Sequence, residues 1–127
     1  MVEISIRYEG DLRCSATHGP SGSALTTDAP KDNHGKGESF SPTDLVATAL
    51  GSCVLTIMGI SAKKQRISID GATVQVVKEM AASPVRRIGA LKVVITVPGT
   101  FTDEQKEALR QAALSCPVHQ SLHPDVA

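Results

Sequence analysis

Residues 41–64 read Ser41-Pro42-Thr43-Asp44-Leu45-Val46-Ala47-Thr48-Ala49-Leu50-Gly51-Ser52-Cys53-Val54-Leu55-Thr56-Ile57-Met58-Gly59-Ile60-Ser61-Ala62-Lys63-Lys64. Ser41 can cap a helix. Pro42 suits the first helical position, where its missing N–H costs nothing, and Asp44 can complete a capping-box-like pair. From Leu45 to Ala62 no charged residue occurs in 18 positions. Val46, Ala49, Leu50, Cys53, Val54 and Ile57 recur at helical spacing. The other face, with Ala47, Thr48, Gly51, Ser52 and Thr56, is small rather than charged. A helix without a charged face is buried all round. The run approaches the length of a membrane span, but Gly51, Gly59 and several hydroxyl side chains make it a poor lipid helix. Lys63 and Lys64 complement the dipole at its end.

Upstream, Val2, Ile4, Ile6 and Tyr8 alternate with Glu3, Ser5 and Arg7, the period of a half-buried strand. Glu9-Gly10-Asp11 supplies a turn. Leu12, Cys14 and Ala16 continue the alternation on a second strand, so a hairpin is expected. A third short strand fits Ser23–Asp28. Residues 29–40 are rich in Pro, Gly and Asn and form a loop. Downstream, 72–79 and 88–97 read as two long strands, with Leu91, Val93, Ile95 and Val97 on one face. Thr102-Asp103-Glu104-Gln105 is a capping box. Leu109, Ala112, Ala113 and Cys116 then put Cys116 on the buried side of a second helix, just before Pro117 breaks it. The order β-β-(β)-α-β-β-α has no strict alternation, which makes the class α+β. So few strands cannot cover a helix buried on every side, so a dimer that packs two such helices together is expected.

The 127 residues fit one domain, 1–127. Thirteen basic residues balance thirteen acidic ones, which removes the electrostatic footprint of nucleic acid or an anionic membrane as partner. Tyr8, Phe40 and Phe101 are the whole aromatic complement, so there is no stacking platform for bases. The opening Met-Val-Glu-Ile-Ser-Ile is not a signal peptide. A cytoplasmic protein is expected, where cysteines are more often chemical than structural.

Cys53 and Cys116 are flanked by small residues, in Gly51-Ser52-Cys53-Val54 and Leu114-Ser115-Cys116-Pro117. A thiol is a nucleophile only as its thiolate. Cys53 lies about three turns inside its helix, beyond the reach of the amino-terminal dipole. A cation must activate it, and Arg13, Arg86 and Arg87 are the candidates. Asp44 and Cys53 lie on opposite faces of one helix, about 13 Å apart along its axis, so Asp44 is a cap. The plain alternative for Cys53 is a small buried hydrophobe, and for Cys14 it is strand packing. Cys116-Pro117-Val118-His119 and His123 have metal-like spacing, but Pro117 and Pro124 disrupt it. No metal or cofactor is implied.

Ser41-Pro42-Thr43-Asp44-Leu45, Ala49-Leu50-Gly51-Ser52-Cys53 and Ser115-Cys116-Pro117-Val118-His119-Gln120-Ser121-Leu122, with Arg86-Arg87-Ile88, together resemble the OsmC/Ohr family. These are the osmotically inducible and organic hydroperoxide resistance proteins. The resemblance implies an intertwined α+β homodimer with two long central helices and sheets outside. It implies reduction of organic hydroperoxides and hydrogen peroxide by a cysteine pair in stress defence. Cys53 matches the peroxidatic position and Cys116 the resolving one. Arg13, after Tyr8-Glu9-Gly10, matches the arginine that assists the thiolate in the Ohr branch. Leu50, Val54 and Ile57 are then expected to shape a site for organic peroxides. A dithiol reductant, a lipoylated protein in some members, completes the cycle.

Two departures stand out. The Ohr branch has a glutamate right after the helix-start proline, where this sequence has Thr43 with Asp44 next, nearer the general OsmC-like branch. Such chains also continue into a strand after His-Pro-Asp-Val, so the sheet is expected to lack its last strand. The competing expectations are a dimer that binds an apolar ligand or senses oxidation without turnover, and an interaction protein with inert cysteines.

Overall fold

The structure is a computed structural model and describes residues 1–127. The elements run β-β-β-α-β-β-α-α, in two compact units, Met1–Leu45 and Val46–Ala127. The α+β class expected from the sequence is the class observed.

The first unit is an antiparallel sheet of β1 (Ile4–Gly10), β2 (Arg13–His18) and β3 (Ala24–Asp28), in that order. Asp11 and Leu12 make the first turn with φ of 52° and 64°. Two left-handed residues in succession give the turn twist that matches paired strands. Register sets Ile4, Ile6 and Tyr8 opposite His18, Ala16 and Cys14, and Leu25 opposite Ala16. The apolar side chains of β1 therefore share a face, as the alternation predicts. That face is not half-buried in the single chain: Ile4, Ile6 and Tyr8 are 56%, 66% and 63% exposed. The same register brings Arg13 directly opposite Asp28.

The 29–40 loop contains one 3₁₀ turn, Lys31–Asn33. Gly35 is obligatory there, because a Cβ at that position would lie 1.8 Å from the carbonyl oxygen of Ala29. The loop delivers Ser41, whose N–H donates to Asp44 Oδ2 at 2.9 Å while Asp44 N–H donates to Ser41 Oγ at 3.1 Å. This reciprocal pair starts α1 (Pro42–Lys64) as the sequence predicts.

In the second unit α1 buries Ala47, Leu50, Gly51, Val54, Met58 and Ala62. These recur every three or four residues, one stripe of the helix. Ala49, Ser52, Thr56 and Ile60 are exposed, so within one chain the helix is not buried all round. The reason is supply: the elements of one chain cover a single stripe of it. The helix is long and apolar enough to cross a membrane by length and composition, yet its buried stripe packs into the core of its own unit. Gly51 permits that packing, since a Cβ there would meet Val76 at 3.0 Å and Val74 at 3.2 Å. Val74 and Val76 belong to β4 (Thr73–Ala81), which pairs antiparallel with β5 (Arg87–Thr96).

Next comes α2 (Asp103–Leu114), opened by the expected capping box of Thr102 and Gln105. The second helix ends at Leu114, and Cys116 is not on it. Cys116 is the residue before a short third helix, α3 (Pro117–Ser121). Pro117 starts that helix instead of breaking one, because a proline at the first helical position forfeits no hydrogen bond. The sheet has two strands, and at the carboxyl end Ala127 N–H donates to Gly89 O while Leu91 N–H donates to Ala127 O. Ala127 thereby begins parallel pairing on the free edge of β5.

Candidate functional site: a cysteine pair

Cys53 and Cys116 are both free thiols and both belong to the second unit. Cys53 is half-buried on α1 and packs against the core. Cys116 is 0% exposed and is itself a core residue. Both side chains belong to one core cluster, near enough for Cys53 to bear on the Cys116 thiol. Two elements bring them together: α1 carries Cys53 on the flank of its buried stripe, and the α2–α3 turn folds Cys116 back inward.

Their surroundings differ. Burial pushes the Cys116 thiol up, and the neighbouring Cys53 pushes the same way. The backbone N–H groups of His119 and Val118, at the start of α3, act against this by pointing at the sulfur. Burial prevails, because a thiolate without water loses more than two amides return. The pair thus joins a more accessible thiol to a buried one held in its neutral form.

Leu50 and Val54 line a groove of about 440 Å³, walled by Leu91, Val93 and Ile95 of β5 and by Leu122, and neither Cys53 nor Cys116 is part of its lining. His119 and His123 stand among its lining residues. Ile57, expected with Leu50 and Val54, is half-buried and is not part of that lining. His123 Nδ1 lies 3.7 Å from Asp125, an ion pair only when the ring is protonated. No group of three or more His, Cys, Asp or Glu side chains gathers anywhere to hold a metal.

Arg13 belongs to the first unit. Its Nη2 donates to Glu38 Oε2 at 2.7 Å and lies 3.5 Å from Asp28 Oδ2. The hydrogen bond to Glu38, with the charges of Glu38 and Asp28, holds the guanidinium more firmly protonated than usual. Asp44 makes the helix cap, as its position predicts. Sequence reasoning missed Asp28 and Glu38. A signal for Asp28 existed, since pairing the second and third strands in register sets position 13 against 28. Glu38 had none, because it comes from an aperiodic loop.

The chain is thus an α+β fold with two free cysteines in one core cluster, one on a long apolar helix and one fully buried. The family model for the OsmC-like protein matches residues 35–127, and the chain belongs to that family. It is 48% identical to a proposed osmotic stress induced and detoxification response protein of Psychrobacter arcticus. That solved structure superposes with a TM-score of 0.93, over 99% of this chain and 91% of the other. It shares the fold at 16% identity with an organic hydroperoxide resistance protein of Legionella pneumophila (TM-score 0.79, 99% and 91% covered). The same holds at 18% identity for the organic hydroperoxide resistance protein OhrB of Bacillus subtilis (TM-score 0.72, 99% and 93% covered). No curated protein sequence matches the chain.

Proposed function

We propose that this protein is a thiol-dependent peroxidase that reduces organic hydroperoxides and hydrogen peroxide. The observation that carries this reading is the asymmetric burial of Cys53 and Cys116 within one core cluster. A peroxidatic thiol needs access and a resolving thiol needs proximity. Half-buried Cys53 suits the first role and buried Cys116 the second. The names of the Legionella and Bacillus proteins agree with the reading.

The cycle has three steps. The Cys53 thiolate attacks the outer peroxide oxygen, an S–O bond forms, the O–O bond breaks, and the alcohol leaves with a proton. The Cys116 thiol then condenses with the Cys53 sulfenic acid, which yields a disulfide and water. A dithiol reductant, of which a lipoylated protein is one kind, exchanges with that disulfide and restores both thiols. Arg13 assists the thiolate, a role that rests on the family resemblance and on its firm positive charge. Leu50 and Val54 favour apolar peroxides, and the groove they line supports this. The cytoplasm suits the reaction, because a reductant must return both thiols after each turnover.

The working form is a homodimer. Support comes from each unit taken singly: the exposed Ile4, Ile6 and Tyr8 face of the sheet, and the exposed Ala49, Ser52, Thr56 and Ile60 face of α1. Exposed apolar side chains such as Ile4, Ile6, Tyr8 and Ile60 call for a protein cover.

Steady-state consumption of cumene hydroperoxide with a dithiol tests the assignment. The wild type turns over, and Cys53→Ser loses turnover by at least about a hundredfold. Retained turnover in Cys53→Ser removes Cys53 from the mechanism. A single stoichiometric oxidation with no turnover in the wild type would favour a redox sensor.

A further inference from the structure

Strand β2 ends at His18, and Gly19-Pro20-Ser21-Gly22-Ser23 turns the chain into β3. Both glycines of this turn are obligatory. A Cβ on Gly19 would lie 2.7 Å from the carbonyl oxygen of Glu3, and Gly22 has a φ of 74°. The chain that folds through them sets a hydroxyl against an imidazole: Ser21 Oγ lies 2.6 Å from His18 Nδ1. The roles in that contact are fixed by a second bond. Ser21 N–H also donates to Nδ1, at 3.3 Å, so Nδ1 is the bare nitrogen of the ring and Nε2 carries the proton. The Ser21 hydroxyl is then the donor and His18 the base. Ser23 N–H donates to Ser21 Oγ at 3.2 Å, where it meets the charge that gathers as the hydroxyl gives up its proton.

We propose that Ser21 is a nucleophile activated by His18, and that it is a modification site for acyl groups delivered on a good leaving group. A nucleophile within hydrogen-bond reach of a base is the arrangement this chemistry needs. Ser21 Oγ attacks the acyl carbon, the O–C bond forms, and the bond from that carbon to the leaving group breaks with its electron pair. The hydroxyl proton passes to His18 Nδ1 and from there to the leaving group. Ser21 is left as an ester and the ring returns to its neutral form. Ser21 is exposed, which gives an acyl donor access, while His18 is half-buried on its strand.

The same turn stops the reaction at that ester. Turnover needs spare donors for the oxyanion of the tetrahedral intermediate. Gly19 N–H goes to Glu3 O, Pro20 has none, Ser21 N–H goes to the ring, Gly22 N–H goes to His18 O, and Ser23 N–H goes to Oγ. No amide of the turn is left over. An aryl ester reacts without such help because its leaving group is good. The serine ester it forms is an alkyl ester, and it persists.

The test treats the reduced, full-length protein with p-nitrophenyl acetate. Neutral hydroxylamine then discharges thiol and imidazole adducts, and the remaining acetyl groups are mapped over time by mass spectrometry. Ser68 is the internal reference, since its Oγ accepts the Asp70 N–H at 3.1 Å with no ring beside it. Ser21 acetylates roughly a hundredfold faster than Ser68, the effect of a positioned general base. His18→Asn keeps an acceptor oxygen near the place of Nδ1 and is no base, so its Ser21 rate falls to that of Ser68. The wild-type Ser21 rate is lower in heavy water, because a proton moves as the O–C bond forms. A residue that merely holds the turn would not produce that difference. A Ser21 rate equal to that of Ser68 overturns the proposal, and so does a rate unchanged in His18→Asn. Equal rates in the two solvents overturn the role of His18 as base. Where His18→Asn does not fold, the ratio of Ser21 to Ser68 and the solvent effect, both read on the wild type, decide.

Discussion

A sulfur with no surface cannot call on water to hold its negative charge, and Cys116 is such a sulfur. Its raised titration has a consequence for stability. An unfolded thiol loses its proton near ~8.5. Below that pH both folded and unfolded chains keep the proton, and the contribution is fully present. Above it the unfolded chain ionises first, binds fewer protons than the native one, and gains relative to it. Stability therefore falls from the ordinary thiol range upward, until the folded thiol also ionises. Thermal melts between pH 8 and 10 check this. The wild-type midpoint drops with pH, and the drop is shallower in Cys116→Ala. Equal slopes would mean that Cys116 is not held neutral by the fold. At this scale the sequence revealed the residue types and not their settings. Cys53 and Cys116 stood out by their flanks. Asp28 did not, because its partner lies on another strand and only register exposes the pair.

Helix starts were the most legible elements, since a cap is a local chemical event. Ser41 with Asp44 and Thr102 with Gln105 form the predicted reciprocal bonds. Strand alternation was equally local, and β1, β4 and β5 fall where period two indicated. Less legible was what depends on the elements lying opposite. The uncharged α1 was read as covered on every side only in a dimer, and one chain buries a single stripe of it, as that reading requires. Pro117 was read as a breaker, yet the turn at Ser115 and Cys116 let it open α3. That turn is what aims Cys116 into the core.

For the molecule as a whole, the sequence signalled a dimer through an excess of apolar surface over cover. Fully burying one large aliphatic side chain is worth roughly 1.5–3 kcal/mol. Ile4, Ile6 and Tyr8 together are therefore a strong incentive to associate, and an introduced carboxylate among them opposes it. Sedimentation velocity at micromolar concentration should give a dimer for the wild type and a monomer for Ile6→Asp. A wild-type monomer would leave those side chains without the proposed cover. The central claim is chemical, and one measurement reaches it. The reduced protein receives one equivalent of cumene hydroperoxide, is quenched by alkylation, and is mapped by mass spectrometry. A Cys53–Cys116 disulfide in near-stoichiometric yield, with Cys14 alkylated, is the result expected. Both thiols recovered alkylated, or oxidation confined to Cys14, would contradict it.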